Sequence, residues 1–137
     1  MPLRPRILMT AMSVPLLLAV IGCVPMQAPA SPWIRAQVVD ANTHLPINAV
    51  TVTTWSREHP EKQVSGETDK NGTVTIAPSE RTVWVLPVPY DFIAPGGPVR
   101  FTAPGYQSLE LDASTITQAY VRDHKPVELT RRDAPAS

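Results

Sequence analysis

The sequence predicts an all-β domain, a seven-stranded antiparallel β-sandwich, behind a short apolar leader. Three observations predict this fold class. Proline occurs 16 times among the 137 residues, about twice its usual frequency, and prolines at that density break helices. Apolar and polar residues alternate in short segments, which is the pattern of a half-buried strand. Turn-forming pairs such as Asn71-Gly72 and Pro104-Gly105 separate those segments.

The first predicted strand covers residues 33–40, with Ile34, Ala36 and Val38 facing the core. Further strands are predicted over 49–56, 64–68, 73–77, 81–87, 99–103 with its continuation 106–111, and 126–130. Residues expected to face the core in the later strands are Val50, Val52, Val99, Phe101, Leu109, Leu111, Val127 and Leu129. The strands over 64–77 are expected to pair as a hairpin around the turn 69–72, in which Asn71 and Gly72 suit positive φ angles. Residues 112–122 fit either a short helix capped by Asp112 or irregular chain.

The first 22 residues have the pattern of a cleaved helical signal peptide. Arg4 and Arg6 form a basic start, and residues 7–21 are apolar. That apolar stretch is shorter than the roughly 20 residues of a membrane-spanning helix, and Pro15 interrupts it. Retention as a spanning helix and ordinary signal cleavage are the alternatives.

The motif Val20-Ile21-Gly22-Cys23 resembles the lipobox of bacterial lipoproteins, with Cys23 as the only cysteine of the chain. The resemblance implies cleavage between Gly22 and Cys23 and lipidation of Cys23 with palmitate-type acyl chains. Two or three such chains anchor a protein stably in a membrane. Val24 follows the cysteine, which in enterobacterial-type sorting implies the outer membrane, with the protein facing the periplasm. An inner-membrane anchor and a surface-exposed protein remain alternatives.

Residues 23–32 are expected to carry the lipid and to form a Pro/Ala-rich tether before the domain at 33–131. The stretch 24–32 has three prolines and no charge, so it predicts an extended spacer of roughly 25–30 Å. Residues 132–137 are expected to form a disordered tail.

Four blocks of the chain carry a family resemblance. They are Val38-Val39-Asp40, the stretch from Leu45 to Val52, the stretch from Thr68 to Ile76, and Ala103-Pro104-Gly105-Tyr106. Together they make residues 34–130 resemble the carboxypeptidase regulatory-like (transthyretin-like) domain. The resemblance implies a Greek-key sandwich that serves as a binding or spacer module and not as a catalyst.

Composition and motifs point away from several function classes. Loss of Arg4 and Arg6 leaves ten basic against twelve acidic residues, a net charge of −2 that argues against nucleic-acid binding. The three histidines, His44, His59 and His124, lack metal-ligand spacing and are expected to be solvated surface residues. No metal, no cofactor and no catalytic residue is predicted.

The candidate binding residues are aromatic. Trp55 and Trp84 alternate out of phase with neighbouring valines, and Tyr90 and Phe92 lie in a proline-rich loop predicted over 88–98. They predict an aromatic patch for a glycan or an envelope protein, unless the loop folds over them.

The resulting expectation is an envelope lipoprotein that acts as a non-catalytic binding or structural module. Two alternatives stay open. One is a secretion-apparatus lipoprotein, because the type VI outer-membrane lipoprotein shares the plan of a transthyretin-like sandwich behind a lipidated cysteine and docks a periplasmic partner through a loop. The other is a small hydrolase with an unrecognised site.

Overall fold

The computed structural model describes residues 22–85 and 95–133. The predicted signal peptide up to residue 21, the core of the proline-rich loop with Tyr90 and Phe92, and the end of the tail lie outside these residues. The described chain forms nine strands and one helix. They are β1 Val24–Pro29, β2 Ile34–Asp40, β3 Thr51–Thr54, β4 Val64–Glu67, β5 Thr73–Ile76, β6 Glu80–Val85, β7 Pro98–Thr102, β8 Leu109–Asp112, α1 Ala113–Asp123 and β9 Val127–Leu129.

Two larger sheets share one apolar core. Their strand orders are β5-β2-β9 and β4-β3-β7-β8. The inward faces of both sheets contribute to the same buried cluster, in which Ile34, Val52 and Phe101 have no exposed surface. The cluster also contains Ala36, Val38, Val50, Val74, Ile76, Val99, Ala103, Ala113, Ile116, Val127 and Leu129. The prediction of a mostly-β, sandwich-like fold is therefore confirmed.

The strand count and the strand directions differ from the prediction. The described residues hold nine strands and not seven, because the expected spacer contains β1 and because the strand predicted over 99–103 with its continuation 106–111 is two strands, β7 and β8. The predicted strand 81–87 is β6, which pairs with β1 in a separate two-stranded sheet. The sandwich is also not wholly antiparallel, since β9 runs parallel to β2 with Val38 opposite Val127. The helix α1 connects β8 of one larger sheet to β9 of the other. The contacts divide the chain into two units. One contains residues 24–27 and 82–85, and the other contains residues 28–81 and 95–133.

The predicted hairpin over 64–77 is wrong. β4 pairs with β3 in one sheet, whereas β5 pairs with β2 in the other, so residues 68–72 cross between the sheets. Thr68 fixes the start of the crossing, because its hydroxyl donates to the carbonyl of Ile47 and accepts from the amide of Val50. The carboxylate of Asp69 then accepts the N–H groups of Asn71 and Thr73 at 2.8 and 2.9 Å.

Gly72 is the one residue of this crossing with a positive φ, at 72°, whereas Asn71 was also expected to suit that conformation. A Cβ atom at Gly72 would lie 2.4 Å from the carbonyl oxygen of Val38. Glycine is therefore required both by the backbone conformation and by the close approach to β2.

The stretch expected to be a free spacer is paired and partly buried. Residues 24–29 form β1, which pairs with β6. Ala28, Ala30 and Ser31 are buried, and the Ser31 hydroxyl accepts the N–H of Ser79 at 2.7 Å. Residues 24–27, which separate Cys23 from buried Ala28, belong to β1, so the stretch is not the free spacer of roughly 25–30 Å that was expected.

The ambiguous segment after β8 is helical. The carboxylate of Asp112 accepts the backbone N–H of Ser114 at 3.0 Å and its hydroxyl at 2.6 Å, which caps the helix N-terminus. The helix ends at His124, whose φ of 52° places it in the left-handed region. Among the described residues, no helix is long and apolar enough to cross a membrane.

Two glycine substitutions test the crossing. Gly72→Ala should lower the free energy of unfolding by roughly 3 kcal/mol or more, because it adds a backbone clash to a positive φ. Gly105→Ala is the matched control: φ is 79°, but nothing lies within 4 Å of the added Cβ, so the loss should be about 1–2 kcal/mol. Urea denaturation measures both. Equal losses would show that the approach to Val38 is not what demands glycine.

Candidate functional site

Cys23 is exposed and lies one residue before β1. Gly22 is exposed as well, so the peptide bond between the two residues is at the surface. This placement is compatible with cleavage and acylation. Lipidation itself remains a prediction from the residues before Cys23.

Trp55 is half-buried and follows β3. The Arg100 guanidinium lies 5.1 Å from the centre of its ring, a cation–π contact. Arg100 also bonds to Glu110 at 3.0 Å, so strand pairing and charge hold the guanidinium in place. The outward direction predicted for Trp55 fits this contact, but Arg100 covers one ring face and reduces the area open to a ligand.

Trp84 lies in β6 and is 68% exposed. It belongs to the unit of residues 24–27 and 82–85, whereas Trp55 belongs to the other unit. Tyr90 and Phe92 lie outside the described residues. The four-residue aromatic patch therefore stays a prediction, with Trp84 as its one largely exposed member among the residues described.

His59 is not the solvated residue that the sequence predicts. Its Nε2 lies 2.8 Å from Nη1 of Arg81, and its Nδ1 lies 3.5 Å from a Glu61 carboxylate oxygen. A guanidinium only donates, so Nε2 accepts and the proton of a neutral ring sits on Nδ1, facing Glu61. His44 and His124 are exposed, as expected. No cluster of three metal-ligating side chains occurs in residues 22–85 and 95–133.

Asp40, at the end of β2, is buried, although no pattern in the sequence indicates a buried carboxylate there. Oδ1 accepts the N–H groups of Asn42 and Thr43 at 2.9 and 3.0 Å. Oδ2 accepts the hydroxyl of Tyr106 at 2.9 Å and Nε of Arg131 at 2.7 Å. Asp40 thereby joins β2 to the turn after β7 and to the segment after β9.

These bonds favour the charged form of Asp40. The N–H of Thr43, then the Arg131 guanidinium and the N–H of Asn42, hold the pKa of this carboxyl well below its usual range. The pKa of Arg131 is raised in turn by its bond to Asp40. A carboxylate with all its acceptor sites occupied stabilises the fold and is a poor proton donor or acceptor for chemistry.

A groove lies where β8 and β9 separate. The two chain segments start side by side, since Gln107 N–H donates to the Thr130 carbonyl at 2.8 Å and Tyr106 bridges to Arg131. Beyond this point they diverge around a cavity of about 250 Å³, which α1 closes at one side. Its lining is mainly apolar: Leu109, Leu111, Ile116, Ala119, Pro126 and Val127, with Thr115, Lys125 and Glu128. Leu111, which was expected to face the core, is a partly exposed wall of this groove.

The β8 wall of the groove ends in an open strand edge. The N–H of Ala113 donates to the carbonyl of Gly97, so the backbone at residue 113 faces β7. Successive residues of a strand direct their backbone groups to alternate sides, so Leu109 and Leu111 also bond towards β7. The N–H and carbonyl of Glu110 are consequently directed away from β7.

The β9 wall has the same property. The carbonyl of Leu129 accepts the N–H of Ala41, so residue 129 faces β2. By the same alternation, the N–H and carbonyl of Glu128 point to the opposite side, the edge on which Thr130 accepts from Gln107. The apolar groove is therefore bordered by the edges of two strands, β8 with the backbone groups of Glu110 and β9 with those of Glu128.

The Asp40 network predicts a pH dependence of stability. The folded chain holds the pKa of Asp40 below its value in the unfolded chain, about 3.9, so the network's contribution is complete above that pH. It is lost as the pH falls towards the folded-state pKa. Asp40→Asn should therefore be less stable at neutral pH, and its stability should fall less steeply between about pH 5 and pH 2.

Urea denaturation at several pH values measures this, with the exposed carboxylate variant Glu67→Gln as the control. Parallel losses for the wild-type chain and Asp40→Asn would show that Asp40 does not carry the acid sensitivity.

Comparison of the chain with protein-family models, with curated protein sequences and with solved structures finds no match. The transthyretin-like resemblance accordingly remains a prediction from the residues that carry it. The groove, the two tryptophans and the Asp40 network are interpreted from their physical chemistry.

Proposed function

We propose that the chain is a bacterial envelope lipoprotein that acts as a non-catalytic binding module. The observation that favours binding is the groove between β8 and β9, where apolar side chains lie beside the open edges of the two strands. The finer fold proposal is a transthyretin-like Greek-key sandwich, which the seven strands of the two larger sheets support.

The proposed anchor is Cys23, lipidated after removal of the preceding residues. The motif Val20-Ile21-Gly22-Cys23 supports it, together with the apolar segment 7–21 and the exposure of Cys23. Val24 at the next position favours the outer membrane and a periplasmic orientation.

The proposed ligand of the groove is an extended peptide segment of an envelope protein. The backbone groups of Glu110 and Glu128 suit an added strand, which obtains its affinity from main-chain hydrogen bonds. Leu111 and Val127 offer apolar contacts to alternate side chains of that strand. A cavity of about 250 Å³ has room for roughly two such side chains.

The character of the groove favours binding over catalysis. Its ionisable lining residues are Lys125 and Glu128, beside seven neutral ones. A hydrolytic site instead requires a nucleophile or a metal with convergent polar groups.

Cys23→Ser tests the anchor. The variant lacks the thiol that accepts the diacylglyceryl group, so it should remain an unprocessed precursor and take up no labelled palmitate. Metabolic labelling of the full-length chain and its electrophoretic mobility measure both effects. The control is Ser65→Ala, which removes an exposed hydroxyl group in β4, far from Cys23 in the sequence. A Cys23→Ser chain that is processed and labelled like the wild type would refute the anchor.

Leu111→Glu and Ala119→Glu test the groove. Each places a charge on an apolar wall, so recovery of an envelope partner with the tagged, membrane-extracted protein should fall about ten-fold. Leu45→Glu is the matched control, because Leu45 is also an exposed leucine but does not line the groove. Quantitative pull-down and thermal denaturation are measured together, since a folding defect would lower both.

Other outcomes separate the alternatives. Unchanged recovery with both groove variants would refute the groove as the binding surface. Loss of the partner on deletion of residues 88–96, which leaves the Gly97 carbonyl and β7 in place, would favour loop docking of the type VI kind. Glycan binding that depends on Trp55 or Trp84 would favour sugar recognition.

A further inference from the structure

The two-stranded ribbon formed by residues 24–27 and 82–85 is wholly apolar on one face and carries two apolar residues beside Gln27 and Thr82 on the other. The Gln27 side chain donates to the Thr82 hydroxyl at 3.2 Å, which places these two residues on one face. Since side chains alternate along a strand, Pro25 and Trp84 share that face. Val24 and Met26 then share the other face with the valines at 83 and 85.

The ribbon exposes these apolar groups to its surroundings. Trp84 is 68% exposed, Val24 45% and Met26 39%, and Val83 and Val85 are half-buried. None of the eight ribbon residues carries a charge. A two-stranded ribbon is marginal in water by itself, and six apolar residues out of eight are an unfavourable composition for one surrounded by water.

The chain position limits where the ribbon can be. Val24 follows Cys23 directly, and a strand rises about 3.3 Å per residue, so Met26 lies within about 10 Å of the Cys23 backbone. The backbone bond between residues 30 and 79 and the Gln27–Thr82 contact follow one antiparallel register, with Trp84 opposite Pro25. Paired strands are about 4.8 Å apart, so Trp84 is close to the anchor residue as well.

We propose that this ribbon is a lipid-contacting element that lies in the interfacial region of a phospholipid bilayer. The proposal rests on the proposed anchoring at Cys23, because acyl chains on that residue bring the ribbon to the headgroups. Tryptophan favours that region, where its ring contacts acyl chains and its N–H contacts polar groups. Val24 and Met26 are transferred from water to the same apolar boundary.

Bromolipid quenching of single-tryptophan variants tests the proposal. The full-length chain is expressed in a Gram-negative host, extracted from membranes and reconstituted into phosphatidylethanolamine–phosphatidylglycerol vesicles, with or without dibrominated phosphatidylcholine. Trp33→Phe with Trp55→Phe leaves Trp84 as the emitter. Trp55→Phe with Trp84→Phe leaves Trp33, an exposed tryptophan outside the ribbon, as the matched control.

The emission of Trp84 should fall about two-fold or more with brominated lipid and shift to shorter wavelength, while that of Trp33 changes little. Equal quenching of both tryptophans would overturn the proposal, because it would report general proximity and not contact by the ribbon. A blue-shifted Trp84 that brominated lipid does not quench would also overturn it, because a protein surface would then cover the ribbon.

Whether Cys23 is acylated is measured separately. The intact mass of the purified protein shows whether Cys23 carries acyl chains. If it does not, the free Cys23 thiol is coupled to a maleimide phospholipid in the same vesicles and the quenching is repeated. Quenching of Trp84 in the coupled protein would show that the ribbon contacts lipid even though Cys23 is not acylated in the cell. Absence of Trp84 quenching in the coupled protein would overturn the proposal.

Discussion

The parallel pairing of β9 with β2 determines the position of most features of the larger unit. Its register places Leu129 opposite Asp40, and two residues later Arg131 reaches the Asp40 carboxylate at 2.7 Å. The same pairing leaves the other edge of β9 facing β8, where the groove opens. The helix α1 leads from β8 to β9 and lines the groove between them. The ion pair and the groove are therefore consequences of one strand contact.

The sequence predicted the strands better than their partners. Alternation in β2 and β7 reports which residues are buried, and Ile34 and Phe101 are indeed fully buried. Alternation carries no information on which strand lies alongside. The turn chemistry at Asp69 and Gly72 is local and is the same for a hairpin and for a crossing between sheets, so the hairpin prediction could not be distinguished from the observed connection. The strand β1 was missed for a different reason: two prolines in Val24–Pro29 favour an extended spacer, and its partner β6 lies some 55 residues away.

The candidate site was less predictable than the fold, because its parts come from distant residues. Asp40 and Arg131 are separated by 91 positions, and no local pattern links them. The groove exists because two segments that start paired then diverge, a property of three-dimensional paths and not of composition. The outward direction of Trp55 was predicted from the sequence. The contact of its ring with the Arg100 guanidinium was not, because it depends on the pairing of β3 with β7. Exposure of Trp84, by contrast, follows directly from its phase relative to the neighbouring valines.

The pairing of residues 24–29, which were expected to be a free spacer, shortens the distance that a chain anchored at Cys23 can reach from a membrane. Only the four residues 24–27 separate Cys23 from Ala28, the first buried residue, so at most about 17 Å of extended chain lies between them. An unpaired spacer of nine residues would let an anchored chain search widely above a lipid surface. In the structure most of that stretch is the strand β1, paired with β6, so the reach of a Cys23-anchored chain is shorter than the sequence predicts.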